Sequence, residues 1–276
     1  MNETNRMSKI KIKNFNLRHT LECGQIFRWK IIDGYYIAVV GSKILKLRQE
    51  KNILYFDGTD VDKKFIKNYF RLDDDYGSIL RLISRDEKMR EIVRENIGLR
   101  IIRQEPWECL VSYLCSSASN IPKIRMNLDL LSEKFGKEIV FEGRKHYAFP
   151  EPGRINHLAK IRNCSVGFRA GYIFDANKSH EKIESLKMRK MDYAEARSEL
   201  IEMKGVGRKI ADCVLLFSLD KLEAFPTDVW IKRIMQELYF EGRNIPEKQI
   251  ADFGREYFGK YAGYAQEFLY NYGRER

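Results

Sequence analysis

The sequence predicts an α+β protein, an N-terminal antiparallel β-sheet subdomain followed by a helical helix-hairpin-helix core. Three observations carry that expectation. Residues 9–57 alternate apolar and polar positions in short runs cut by turn signals. From Asp60 onward the apolar spacing changes to three and four residues, the helical period. Further on, the tripeptide Gly205-Val206-Gly207 joins two helical patterns through a glycine turn.

In chain order, KIKIKNF opens the sheet, and GQIFRWKI, GYYIAVV, KILKLR and ILYF continue it, separated by Asp33-Gly34 and Gly41-Ser42. DVDKKFIKNYF, DYGSILRLIS and DEKMREIVREN then read as helices with aspartates at their N-caps. Together these form an expected N-terminal unit, residues 1–95. Residues 96–276 form the expected helical unit. Pro106 suits the first turn of a helix through WECLVSYLCSS, and Pro122 opens another that Gly136 ends. Pro150, Pro152 and Gly153 make 147–157 a loop, after which helices run to the C-terminus. The helix–hairpin–helix occupies 195–219, with its first helix ending at Lys204.

A chain of 276 residues with 44% hydrophobic and 12% aromatic content has enough apolar mass for real cores. Its 50 Lys and Arg against 39 Asp and Glu leave a net charge of +11, which points to a polyanion and first to nucleic acid. The five cysteines are odd in number and no pair is spaced C-x-x-C, so a disulfide framework, a zinc ribbon and a four-cysteine iron–sulfur cluster are not expected. His19, His146, His157 and His180 form no HxH or HExxH pair, so no metal site is expected. The N-terminal MNETNRMSKIKIK lacks the apolar run of an export signal, and no stretch of about 18 apolar residues offers a membrane span. An intracellular protein is expected, cytoplasmic and nucleoid-associated in a prokaryote.

The hairpin carries the chemistry. Glycines let the backbone approach a partner and turn its N–H groups outward, and a helix N-terminus is an anion site, so a phosphate is the natural ligand. Lys209 lies in the first turn of the second helix, about 40° around the axis from Cys213, while Ile210, Val214 and Phe217 make a separate apolar stripe. A neutral amine is the nucleophile that Schiff-base chemistry needs. Nineteen residues on, Thr227 or Asp228 can cap the following helix. A carboxylate beside Lys209 can also shuttle protons and stabilise a cationic sugar. In the last helix Tyr261, Tyr264, Ala265, Phe268, Leu269 and Tyr272 share one face, and Gln266 and Tyr270 share another, a pairing suited to stacking and hydrogen bonding with a base.

At these residues the chain resembles the helix–hairpin–helix DNA glycosylases, and within them the 8-oxoguanine DNA glycosylase/AP lyase family. GVGRKIADC (205–213) with PTDV (226–229) resembles the superfamily motif. CGQIFRW (23–29), YFRLD (69–73), RQEPWECLVSYLCSS (103–117), VGFRAGY (166–172) and YAGYAQEFLY (261–270) are similar to family segments in family order. The resemblance implies that Lys209 attacks the sugar and that Asp228 is the essential aspartate. It implies that Cys213 and Tyr270 sandwich a flipped base, that Gln266 reads its Watson–Crick edge, and that the Gly24 carbonyl accepts the N7 hydrogen peculiar to 8-oxoguanine. DNA contacts are implied at Gly205, Val206, Gly207, Ile210, Asn120, Lys123, Phe168 and Arg169. No cofactor is implied beyond a monovalent or divalent cation at the hairpin backbone, and the partner is double-stranded DNA containing 8-oxoguanine, bound by a monomer.

The family pattern is not matched everywhere. Ala118-Ser119-Asn120 stands where the family often has an asparagine run, Lys123 where an arginine is usual, Phe168 where a tyrosine is usual, and Trp230 where a histidine touches a phosphate. Those departures imply weak selectivity for the base opposite the lesion, with Arg169 still expected to be available to it. Two other functions fit parts of the sequence. A hydrolytic alkylbase glycosylase of the same superfamily needs no lysine at 209. A non-catalytic helix–hairpin–helix DNA-binding protein needs neither Lys209 nor Asp228.

Overall fold

The computed structural model describes residues 7–184 and 186–274. The expectation that no export signal opens the chain falls partly on residues 1–6, outside the described residues. The chain begins with β1 (Ser8–Lys11), α1 (Leu17–Glu22), β2 (Trp29–Ile32), β3 (Tyr35–Val40), β4 (Lys43–Glu50) and β5 (Ile53–Gly58). These strands form one antiparallel sheet in the order β1-β5-β4-β3-β2. Period-two alternation sorts β4: Leu45 and Leu47 join Ile10, Leu54 and Phe56 in a core capped by α2 (Lys63–Tyr69), while Ile44 packs on the other face with Tyr35 and Ile37. Lys46 is buried on that second face, and its Nζ lies 2.7 Å from Glu142 Oε1.

Among the described residues the rest is helical except for one hairpin. It contains α3 (Tyr76–Ile83), α4 (Glu87–Glu95), α5 (Pro106–Ser116), α6 (Ile121–Phe135), β6 (Glu138–Phe141), β7 (Arg144–Tyr147), α7 (Leu158–Arg162), α8 (Arg169–Lys178), α9 (His180–Glu184) and α10 (Leu186–Lys190). After these come α11 (Tyr193–Ile201), α12 (Arg208–Ser218), α13 (Val229–Tyr239), α14 (Glu247–Phe258), a 3-10 turn (Gly259–Tyr261) and α15 (Ala262–Arg274). Asp62, Asp75, Asp86 and Asn120 cap α2, α3, α4 and α6, each accepting from the N–H three residues on. Each such cap is worth about 1 kcal/mol. Pro106 and Pro122 sit in first turns, and the Gly136 N–H closes α6 on Ser132 O.

Two elements differ from the sequence expectation. Helix α1 interrupts the segment expected to be strand throughout. Asn16 caps it, and Leu17 and Leu21 bury one side, but six residues are too few for a helical period to stand out from alternation. The β6–β7 hairpin was not anticipated. Its turn uses Glu142 (φ 49°) and Gly143 (φ 72°), a left-handed pair that suits a tight two-residue connection.

A single large apolar cluster runs through the helices, with α5 and α12 packed together at its centre. It also takes in Cys23 and Phe27 from the loop after α1, and Ile79, Ile83, Met89 and Ile92 from α3 and α4. That loop therefore lies between sheet and helices, and one wall of the cleft is built from it.

Candidate active site

Gln25 anchors the loop. Its side chain is 1% exposed. Its Nε2 donates to Thr20 O (2.9 Å) and Arg100 O (2.8 Å), and its Oε1 accepts from the Ile102 N–H (2.8 Å). Its backbone oxygen accepts from Gln104 Nε2 (2.6 Å) and from the Tyr113 hydroxyl (3.2 Å). Arg28, also buried, reaches α5 through Glu108 Oε1 (3.1 Å). These bonds give the CGQIFRW motif a physical reason, because they fix Gly24 just before Gln25. Gly24 has φ 104°, and a Cβ there would lie 3.0 Å from Tyr270 Cε1, so only glycine fits.

Beside Gly24 opens a cleft of about 1080 Å³. The α5–α6 turn, the hairpin, the start of α13 and α15 complete its walls. Lys209 is half-buried in it, with Nζ donating to Ser116 Oγ (2.9 Å) and lying 5.1 Å from the centre of the Tyr113 ring. Ser116 Oγ in turn donates to Tyr113 O (2.7 Å). Donation from Nζ to Ser116 fixes its direction within the cleft.

Asp228 caps α13. Its Oδ1 accepts from the N–H groups of Trp230 (3.0 Å) and Ile231 (2.9 Å). Both bonds fall on one oxygen, so capping does not compete with a chemical role for Oδ2. Thr227, the other candidate cap, instead donates to Phe225 O (3.2 Å).

Gly24, Cys213, Gln266 and Tyr270 all line the same cleft, as do Gly205, Gly207, Ile210, Asn120 and Phe168. Burial pushes the Cys213 thiol up to about 12, against the pull of Lys209. Burial raises the Tyr270 hydroxyl as well, and the Asp228 charge adds to it. Gln266 is 4% exposed and its Oε1 has no hydrogen-bond partner. The face that Gln266 and Tyr270 share is thus a buried pocket wall within a helix that is covered nearly all round.

Other expected DNA contacts are placed differently. Val206 and Ile210 are buried, so only their backbone is offered at the hairpin. Gly205 (φ 82°) makes the turn, and a Cβ there would lie 2.4 Å from the Tyr172 ring. The Asn120 side chain caps α6 by accepting from the Lys123 N–H (2.9 Å). Lys123 is not among the cleft-lining residues. Arg169 corrects the sequence expectation most clearly. It is 6% exposed, and its guanidinium donates to Ser117 O (2.7 Å), Ala118 O (2.8 Å) and Val166 O (3.1 Å). Those carbonyls occupy its donors, so it clamps the α5–α6 turn instead of reaching for a partner strand. Phe168 next to it is 60% exposed at the rim.

Sequence reasoning missed Ser116, Tyr113, Arg274 and Glu267, all of which line the cleft. Glu267 carried a signal: it is an acidic residue set between Gln266 and Phe268 in an apolar helix. It is 2% exposed, and burial raises its carboxyl to about 7. Among the described residues no group of three or more His, Cys, Asp or Glu is placed to hold a metal ion. No described helix is long and apolar enough to cross a membrane.

Comparison with known proteins agrees with this geometry. Residues 7–110 match the family described as the 8-oxoguanine DNA glycosylase N-terminal domain. The chain is 30% identical over 257 residues to the N-glycosylase/DNA lyase of Saccharomyces cerevisiae, covering 81% of this chain and 68% of that protein. A Clostridium acetobutylicum 8-oxoguanine glycosylase/lyase, solved with double-stranded DNA containing cytosine opposite 8-oxoG, superposes with a TM-score of 0.90 at 33% identity, over 98% of this chain and 97% of that one. MBOgg1, solved with a low-affinity DNA ligand, superposes with a TM-score of 0.92 at 37% identity, over 97% and 95% of the two chains.

Proposed function

This chain belongs to the 8-oxoguanine DNA glycosylase/lyase family and is an N-glycosylase with DNA lyase activity, and we propose that it removes 8-oxoguanine from double-stranded DNA through a Schiff base on Lys209. The observation that carries the proposal is the placing of the Lys209 amine. It is tethered to Ser116 in a cleft that also holds Asp228 and the unpartnered Gln266 amide oxygen.

Backbone N–H groups of the Gly205–Gly207 turn and the positive start of α12 take a phosphate of the lesion strand. The damaged nucleotide turns out of the duplex into the cleft. Its base stacks between Cys213 and Tyr270, and Gln266 bonds the Watson–Crick edge, its Oε1 accepting from N1–H or the exocyclic amine. The Gly24 carbonyl accepts N7–H of the lesion. Guanine has a lone pair at N7, so the carbonyl is left buried and unpaired at a cost of about 1–3 kcal/mol, with repulsion added.

Lys209 Nζ then attacks C1′. The C1′–N9 bond breaks, and the base leaves with the bonding pair and takes up a proton. Asp228 stabilises the developing cationic sugar and relays a proton from the amine. Ring opening gives the protonated Schiff base. Loss of a proton from C2′ and cleavage of the C3′–O bond break the strand by β-elimination, and water releases Lys209. The nucleophile is the chain's own, so no cofactor is required. A monovalent or divalent cation on hairpin backbone oxygens would serve phosphate binding only. One chain supplies every group, which fits a monomer. DNA as substrate places the protein inside the cell, in the cytoplasm at the nucleoid if the host is a prokaryote.

Borohydride trapping on an 8-oxoguanine duplex tests this directly. A covalent adduct is expected with the unmodified chain and none with Lys209→Gln, whose excision falls by about 10⁴-fold or more while DNA binding persists. Excision by Lys209→Gln at the normal rate would remove the lysine from the mechanism. Asparagine caps helices as well as aspartate does, so Asp228→Asn is expected to leave the melting temperature within a degree or two and still slow excision by roughly a hundredfold.

A further inference from the structure

Tyr113 of α5 touches the loop that carries Gly24 and the helix that carries Lys209 at the same time. It is 4% exposed. Toward the loop, its hydroxyl donates to Gln25 O (3.2 Å), and its ring meets Phe27 edge-on with 5.8 Å between centres. Toward α12, the same ring stacks on Phe217 (5.6 Å, 10° between planes), and Lys209 Nζ lies 5.1 Å from its centre. Its carbonyl takes the Ser116 hydroxyl proton (2.7 Å), so Ser116 Oγ meets the Lys209 amine as an acceptor (2.9 Å). Burial raises the Tyr113 hydroxyl well above its ordinary value, which keeps it a donor at any working pH.

Gln104 makes a second bridge between the same two parts. Its backbone N–H donates to Phe217 O (2.8 Å), and its Nε2 donates to Gln25 O (2.6 Å). Both bridges end on Gln25 O, the carbonyl directly after that of Gly24. The Gln25 side chain is bonded elsewhere, to Thr20, Arg100 and Ile102. Those bonds hold the loop in place, whereas Tyr113 and Gln104 hold it at a set distance from α12.

We propose that Tyr113 and Gln104 are positioning residues that keep the Gly24 carbonyl in register with the Lys209 amine, so that a base seated on that carbonyl brings its C1′ to the nucleophile. The proposal rests on the lesion reading given above. Attack needs the reacting atoms about 3–3.5 Å apart, and a misplacement of about 1 Å costs on the order of a hundredfold in rate. In excision, the wall fixes the base, the base fixes C1′, and α5 fixes the amine. A pre-formed abasic site has no base for the wall to hold, yet Lys209 still attacks its C1′. Register therefore matters to excision and much less to cleavage at an abasic site.

The test compares two single-turnover rates, excision of 8-oxoguanine opposite cytosine and strand cleavage at a pre-formed abasic site opposite cytosine. Tyr113→Phe keeps the ring and removes the hydroxyl. Gln104→Met keeps the backbone N–H and removes the side-chain donor. Each is expected to slow excision about fivefold more than abasic-site cleavage, the worth of one hydrogen bond. The double variant is expected to widen that gap to about twentyfold or more. Ser116→Ala frees the amine itself and is expected to slow both reactions by the same factor. A merely weakened fold also lowers both rates together. Equal slowing of the two reactions by Tyr113→Phe, or no slowing of either, overturns the proposal, and Gln104→Met is judged on the same terms if Tyr113→Phe fails to fold. The unmodified chain is read alongside. If it traps with borohydride on the abasic duplex but leaves 8-oxoguanine in place, the lesion reading fails. If it excises 8-oxoguanine and the variants keep its ratio of the two rates, only the positioning role fails.

Discussion

Gln25 and Gln266 are both glutamines, buried to 1% and 4% exposure, the first behind the Gly24 loop and the second in the lining of the cleft. Gln25 spends its amide on the protein, bonding Thr20, Arg100 and Ile102. Gln266 leaves its amide oxygen without a partner, and the neighbouring Glu267 leaves one carboxyl oxygen in the same condition. A buried polar atom without a partner costs about 1–3 kcal/mol, and a folded chain keeps few of them. Two side by side in a cleft mark the place where a ligand is expected to complete the bonds. The first glutamine is spent on holding the loop, and the second has an amide oxygen left over in the cleft lining.

Exchanging the two glutamines for alanine gives the largest contrast. Gln25→Ala leaves several buried backbone groups unpaired and is expected to cost about 3–5 kcal/mol of stability, read as a fall in denaturant midpoint. Gln266→Ala removes an atom that already lacks its bond. It is expected to change stability by less than about 1 kcal/mol while weakening binding to an 8-oxoguanine duplex by roughly tenfold or more. Equal losses of stability from both substitutions would erase the distinction.

Glu267 sharpens the contrast through pH. A carboxyl raised from its ordinary 4.5 to about 7 binds its proton more tightly in the folded chain than in the unfolded one. Folded stability from this group is therefore fully present below 4.5 and is lost as pH climbs through 7. The loss amounts to about 3 kcal/mol. Glu267→Gln is never charged, so it is expected to be the more stable protein at pH 8, with the gap closing toward pH 4.5. Denaturant melts of both proteins across that range provide the measurement. A gap that is constant with pH would mean that Glu267 is not the group that titrates.

What could be read in the sequence follows the same division. The alternation in β4 and the caps at Asp62, Asp75 and Asp86 are local signals, and the fold uses each of them. Lys209, Asp228 and the Gln266–Tyr270 pair were legible because motif spacing or helical period placed them. Helix α1 was not, since six residues carry too little period. Arg169 was misread because whether a guanidinium faces solvent depends on which carbonyls it meets, and Ser117 and Ala118 lie some fifty positions away in the chain. Ser116 was missed for the same reason. Its meaning comes from Lys209, brought to it only by the packing of α5 against α12.

The smallest expected effect concerns the base opposite the lesion, where the cleft rim differs most from its lesion wall. A bidentate arginine is the natural match for the two acceptors of cytosine. Arg169 cannot serve, because its donors are committed to carbonyls. Phe168 is exposed but has no hydroxyl, and Ala118 (φ 46°) has no polar side chain. Lys123 brings a point charge instead of a fork. Ser119 Oγ, unpartnered and buried, can supply one bond, too little to read a base edge. A preference for cytosine of less than about tenfold is expected, equivalent to under roughly 1.4 kcal/mol. Single-turnover excision from four duplexes that differ only in the opposite base measures it. Replacing Phe168→Tyr and Lys123→Arg together restores a hydroxyl and a fork, and is expected to raise the cytosine preference several-fold without changing excision opposite cytosine. A preference of a hundredfold in the unmodified chain would mean that groups other than these read the partner strand, and that the two sides of the cleft are more alike than their hydrogen bonds imply.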